Sequence, residues 1–121
     1  MKEYNKLVRD LIPQVIKNDG KYCTYYNAEK KDIQDLLIAK LDEEVAEFKE
    51  SGNIEELADI IEVCYGIASF LNYSERDLVN AKKDKFIKYG GFYTGVVLQK
   101  VDDTPIEEDP VEPTNPENPE A

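Results

Sequence analysis

The side chains best placed for chemistry are the carboxylates Glu43, Glu44, Glu47, Glu56 and Asp59. Glu44 with Glu47, and Glu56 with Asp59, are spaced three apart, which puts both members of each pair on one face of a helix. Four carboxylates in one half-buried place repel by several kcal/mol unless protons or a cation intervene. The chain contains no His, so a Ser-His-Asp triad, a Cys-His pair and a His-ligated zinc site are excluded within it. With no His or Cys beside the acids, the expected cation is hard and oxygen-seeking, Mg²⁺ or Mn²⁺. Any hydrolytic chemistry then runs on carboxylates, Lys, Tyr or such an ion.

Each acid also has an ordinary reading. Glu/Lys-rich helices are commonly just solvated. Glu56 stands three residues after Asn53 and suits a capping partner. Glu47 suits an ion pair with exposed lysines.

The carboxylates need two helices that fold back on each other. Residues 29–50 form one amphipathic helix. At about 100° per residue from Ile33, Glu44 falls at about 20°, between Ile33 and Leu37. Glu47 falls at about 320°, Glu43 at about 280° and Asp42 at about 180°, pointing away. Ser51-Gly52-Asn53 breaks the helix, and Asn53 suits the N-cap of a second one running to about Leu71. Leu57, Ile60, Ile61, Cys64, Ala68 and Leu71 make one apolar side of it. Val63, Ile67 and Phe70 make a second, shared with Glu56 and Asp59, and Gly66 joins the polar side. The short turn makes the helices antiparallel, so that Glu44 and Glu47 face Glu56 and Asp59.

Around this pair the spacing predicts a short helix from about Asp10 or Leu11 to Asn18, with Pro13 in its first turn and Gly20 at its end. A third long helix runs from Glu75 to about Tyr89, capped by Ser74 and stopped by Gly90-Gly91. Residues 21–27 and 92–100 read as short strands that could pair in a small accessory β ribbon. The fold class is mainly α, a helical bundle over residues 1–101.

Residues 102–121 carry eight of the 26 acids, five of the six prolines and no basic residue. They read as a disordered acidic tail, either solubilising or a contact for a basic partner. Without them, 18 acids oppose 15 bases, so the body carries −3 of the chain's −11. The negative balance argues against nucleic acid or an anionic membrane as partner. The N-terminus lacks an apolar signal-peptide core and no stretch is long and apolar enough to span a membrane. Cys23 and Cys64 form no CxxC and read as small buried hydrophobes of a reducing cytoplasm, with a disulfide between them left open.

The order Glu43-Glu44-x-x-Glu47, then Glu56-x-x-Asp59, resembles the EExxE…ExxD motif of the MazG-type all-α nucleoside triphosphate pyrophosphohydrolases. That superfamily includes phosphoribosyl-ATP pyrophosphohydrolases and the all-α dUTPases. The run from Tyr4 to Pro13, YNKLVRDLIP, is similar to the opening of a short, single-domain phosphoribosyl-ATP pyrophosphohydrolase-like subgroup. The run from Glu55 to Val63, and the later Lys85…Gly90-Gly91-Phe92, are similar to it too. The resemblance covers about residues 4–95 and leaves the tail outside.

The resemblance implies a MazG-like bundle that cleaves a nucleotide between its α- and β-phosphates. It implies Glu44, Glu47, Glu56 and Asp59 as Mg²⁺ ligands, with one of them or Glu43 positioning the water. Lys6 and Arg9 are phosphate-binding candidates by resemblance. Lys82 and Lys85, one turn apart on the third long helix, are further candidates that serve equally as surface charges. Tyr22, Tyr25 or Tyr26 would stack on a base or pack a strand. Members assemble as dimers or tetramers of dimers, so a homo-oligomer is expected, with the second apolar side of residues 57–71 as its surface. The contrasting reading is a non-catalytic helical binding or regulatory module, or a simple divalent-ion binder.

Overall fold

The computed structural model describes residue 2 and residues 4–106. The chain is mainly helical: α1 (Ile12–Asn18), α2 (Lys30–Ser51), α3 (Ile54–Phe70) and α4 (Glu75–Tyr89) follow in order. It divides into two compact units, residues up to 81 and residues from 82 on, so the boundary falls inside α4. No helix among the described residues is long and apolar enough to cross a membrane.

Local chemistry sets the helix ends. Pro13 sits in the first turn of α1, where its missing N–H costs no helical bond. Gly52, at φ 65°, ends α2 in the left-handed region, and its N–H donates to the Phe48 carbonyl at 2.8 Å. Asn53 occupies the N-cap position of α3, but its side chain makes no capping bond. Ser51 ties this turn instead, its Oγ accepting the Asn53 N–H at 3.1 Å. Ahead of α4, Ser74 Oγ accepts the Asp77 N–H at 3.0 Å and Asp77 Oδ2 accepts the Ser74 N–H at 2.8 Å. This is the reciprocal capping arrangement with Asp as the returning acid.

Within the first unit, α2 and α3 pack together as a helical hairpin. Gly66 lies where a Cβ would stand 3.1 Å from Leu37 Cδ2, so its bare backbone admits the Leu37 side chain. Asp59 and Glu56 turn toward the same helix, beside Glu44. Val63, buried, lies one turn after Asp59 and before Gly66 on α3, and Ala68 is the other buried apolar residue among those described. Leu57 and Ile61, on the other side, are 41% and 53% exposed. The side expected to be a free oligomer surface is thus the one that meets α2; on the other side Leu57 and Ile61 are open, while Ala68 is buried. Gly66 takes part in that contact: an apolar count places it among polar positions, whereas its lack of a side chain leaves room for Leu37.

The expected ribbon is not present: residues 21–27 and 92–100 contain no strand. Tyr22 and Phe92 are fully exposed, and Tyr26, Val96 and Val97 nearly so. Alternation and β-branched or aromatic content favour a strand only where neighbours bury them, and a lone two-stranded ribbon is marginal in water. Cys23 is exposed rather than buried, Cys64 is half-buried, and both are free thiols. Of the expected acidic tail, residues 107–121 lie outside the described residues. Before them, Asp102 Oδ1 accepts the Thr104 N–H and Oγ1–H, both at 3.1 Å, which holds the Asp102 carboxyl below its usual range.

Gly52 has no heavy atom within 4 Å of where a Cβ would stand. A substitution there meets backbone strain alone. Gly52→Ala should lower unfolding free energy by about 1 kcal/mol in a urea titration, with an unchanged m-value.

Candidate functional site

The hairpin brings five acids together from two helices. α2 supplies Glu43, Glu44 and Glu47, which offer oxygens all within 4.8 Å of one another. Glu44, Glu56 and Asp59 form a second such group at the same limit, the last two from α3. Glu44 is the member common to both. The expected foursome is therefore two overlapping threes, with Glu47 joined to the α3 acids through Glu44.

Glu44 is also the most buried of the five, only 3% exposed. Its Oε1 lies 3.3 Å from Lys40 Nζ, one turn earlier on α2. Its Oε2 is buried with no hydrogen-bond partner among the described residues. Burial pushes the Glu44 carboxyl above its usual value, and the charges of Asp59 and Glu47 push the same way; Lys40 offsets only part of this. An orphaned buried carboxylate oxygen is costly and uncommon in a folded protein.

The neighbours are better satisfied. Glu43 Oε2 accepts from Lys6 Nζ and from Lys40 Nζ, both at 3.0 Å. Burial pushes the Glu43 carboxyl up, but these two ammonium groups outweigh it and hold the acid below its usual value. Burial likewise pulls Lys40 down, yet its bonds to Glu43 and Glu44 win, and its ammonium is held more firmly than a free lysine's. Asp59 Oδ1 accepts both Nε and Nη2 of Arg9, at 3.1 and 2.7 Å. Glu56 Oε1 accepts the Ser51 hydroxyl at 2.7 Å. Among the described residues, five carboxylates thus face three cations, Lys6, Arg9 and Lys40, a formal excess of two negative charges.

The cluster could hold a metal ion. Its donors are all carboxylate oxygens, which suits a hard cation. The orphaned Glu44 oxygen is the group such an ion would satisfy.

Lys6 and Arg9, from the segment before α1, reach the cluster through Glu43 and Asp59. Lys82 and Lys85 are exposed on the part of α4 in the second unit, Lys85 with its ammonium 5.8 Å from the Tyr89 ring centre. Tyr22, Tyr25 and Tyr26 are exposed. Two residues escape the sequence reading. Lys40 stands three and four residues before Glu43 and Glu44, a spacing that signals the contact. Ser51 reads only as part of a turn, yet its hydroxyl holds both the Asn53 N–H and Glu56.

No family model, curated protein or solved structure matches the chain.

Glu44 is held above its unfolded value, so ionising it opposes folding: stability falls as pH rises through that raised value. Glu44→Gln removes this cost. Without metal it should raise the melting temperature at neutral pH by a few degrees, about 1 kcal/mol. The gain should disappear at acid pH, where Glu44 is already protonated. Calorimetric melting of both proteins at two pH values reads the effect.

Proposed function

We propose that the chain is a Mg²⁺-dependent nucleotide pyrophosphohydrolase. It cleaves a nucleoside triphosphate or related nucleotide between the α- and β-phosphates, giving a monophosphate and pyrophosphate, as a house-cleaning enzyme of the cytoplasm. The observation that carries the reading is buried Glu44, with one oxygen unpartnered, shared by two groups of carboxylates. The motif resemblance to MazG-type enzymes supplies the reaction class.

In this reading Glu44, Glu47, Glu56 and Asp59 hold the ion, with Mn²⁺ as an acceptable substitute. When bound, the ion neutralises phosphate charge and makes a nucleophile of water near neutral pH. Glu43, Glu44 and Glu47 are the candidates to orient that water and take its proton. Glu43, tied to two ammonium groups and less basic for it, is the weakest of the three, which leaves the role to Glu44 or Glu47. Ser51 fixes the Glu56 carboxylate, and Lys40 fixes Glu43 and Glu44. Lys6 and Arg9 bind phosphate oxygens, with Lys82 and Lys85 as further candidates.

A homo-oligomer, dimer or tetramer, and a MazG-like helical bundle belong to the same reading. The open Leu57/Ile61 side of α3 and exposed Val45 on α2 support it, as apolar surface that a second copy would cover.

A panel of canonical and modified nucleoside triphosphates, assayed for Mg²⁺-dependent pyrophosphate release, tests the reading. The parent should release pyrophosphate from at least one nucleotide, and Glu44→Gln should lose 10²-fold or more of that rate. No release from any nucleotide by the folded parent would favour the helical binding module. Equal release by both proteins would place the site elsewhere.

A further inference from the structure

The segment before α1 carries two cations onto the carboxylate cluster. Asn5 has a left-handed φ of 44°, rare for a residue with a side chain, so the chain bends just before Lys6. Lys6 then reaches Glu43 on α2, and Arg9 reaches Asp59 on α3, ties across 37 and 50 residues of sequence. Both donors of Arg9 converge on a single oxygen of Asp59. The side chains of this pair are 52% and 34% exposed, so water reaches them and the bond opens at little cost. Lys40 differs: it is carried by α2 itself and its side chain is only 16% exposed, which makes it a fixed counter-ion.

A dication and a guanidinium sharing the Asp59 carboxylate are like charges a few ångströms apart, so each weakens the other's hold on it. The guanidinium fork is equally suited to phosphate oxygens. We propose that residues 4–10 are an exchangeable counter-ion strap. With no metal bound, Arg9 and Lys6 neutralise Asp59 and Glu43; a divalent cation competes Arg9 off Asp59; the freed guanidinium and ammonium then take the phosphates of an anionic ligand. The strap rests on the metal-binding reading of the cluster. It goes beyond that reading in making the same two side chains counter-ions of the acids and ligands of the polyanion.

The test is a calorimetric titration of Mg²⁺ alone into the full chain, for the parent and for Arg9→Gln, Lys6→Gln and Glu44→Gln. Lys17→Gln, on α1, serves as a charge control. Arg9→Gln should bind Mg²⁺ about two- to five-fold more tightly than the parent, Lys6→Gln should move the same way, and Lys17→Gln should match the parent. At saturating Mg²⁺ the Arg9 variant should bind inorganic pyrophosphate about tenfold more weakly. In the unmodified chain, amide exchange across residues 5–11 should speed up on adding Mg²⁺ and slow again with pyrophosphate. That measurement decides the matter even if a variant fails to fold.

Mg²⁺ affinity that is unchanged or weaker in Arg9→Gln overturns the strap, as does a gain matched by Lys17→Gln. Exchange over residues 5–11 that ignores Mg²⁺ overturns it too. In each of these cases Mg²⁺ binding lost in Glu44→Gln leaves the metal reading standing. A parent that binds no Mg²⁺, or a Glu44→Gln variant that binds it equally well, overturns the metal reading and the strap together.

Discussion

A carboxylate buried between two helices, with half of its hydrogen-bonding capacity unmet, is the constraint on which this structure turns. Glu44 sits where α2 and α3 pack, 3% exposed, with Lys40 on one oxygen and no partner among the described residues on the other. An apolar residue there would pack the hairpin more cheaply. The chain instead places Asp59 opposite it and Glu47 one turn on along α2, which raises the cost, and sets Lys40 against it, which meets only part of that cost. Groups held against their preferred ionisation in this way concentrate at sites that bind or react.

The supporting parts serve that geometry. Gly52 reverses the chain within a turn, so the acids at the C-terminal end of α2 meet those at the start of α3. Ser51 does double work in the same turn, accepting the Asn53 N–H and orienting Glu56. Gly66 lets Leu37 in and with it brings α2 close along the hairpin. The charge of the whole chain, −11, says little about this place. Locally an excess of two negative charges is what matters, and it lets a carboxylate-lined site accept a polyanion through a dication.

The helices, the reversing turn, the Ser74 cap and the approach of Glu44 and Glu47 to Glu56 and Asp59 were legible in the sequence, because helical spacing and capping chemistry are local. Glu44 as the inward acid follows from one wheel. The wheel also gives the flank of α3 that meets α2, the one carrying Glu56 and Asp59; what it misses is that this flank is then not free for a second copy, and that Gly66, a residue defined by what it lacks, takes part in the contact. The strands misread at 21–27 and 92–100 failed for a related reason, since strand propensity describes a surface to be covered and these residues are exposed. Lys40 was legible in principle from its spacing to Glu43 and Glu44. The pairings of Lys6 and Arg9 with particular acids were not, because nothing local links residues 37 and 50 positions apart.

The central claim is that Glu44 sits at a divalent-ion site shared by α2 and α3. Crystals of the full chain soaked in Mn²⁺ test it most directly, through the anomalous scattering of the ion. The account predicts a peak about 2.1 Å from a Glu44 carboxylate oxygen, with further ligands from Asp59 or Glu56. Crystals saturated with Mn²⁺ that show no peak at Glu44, or place the ion only on other acids, would contradict it.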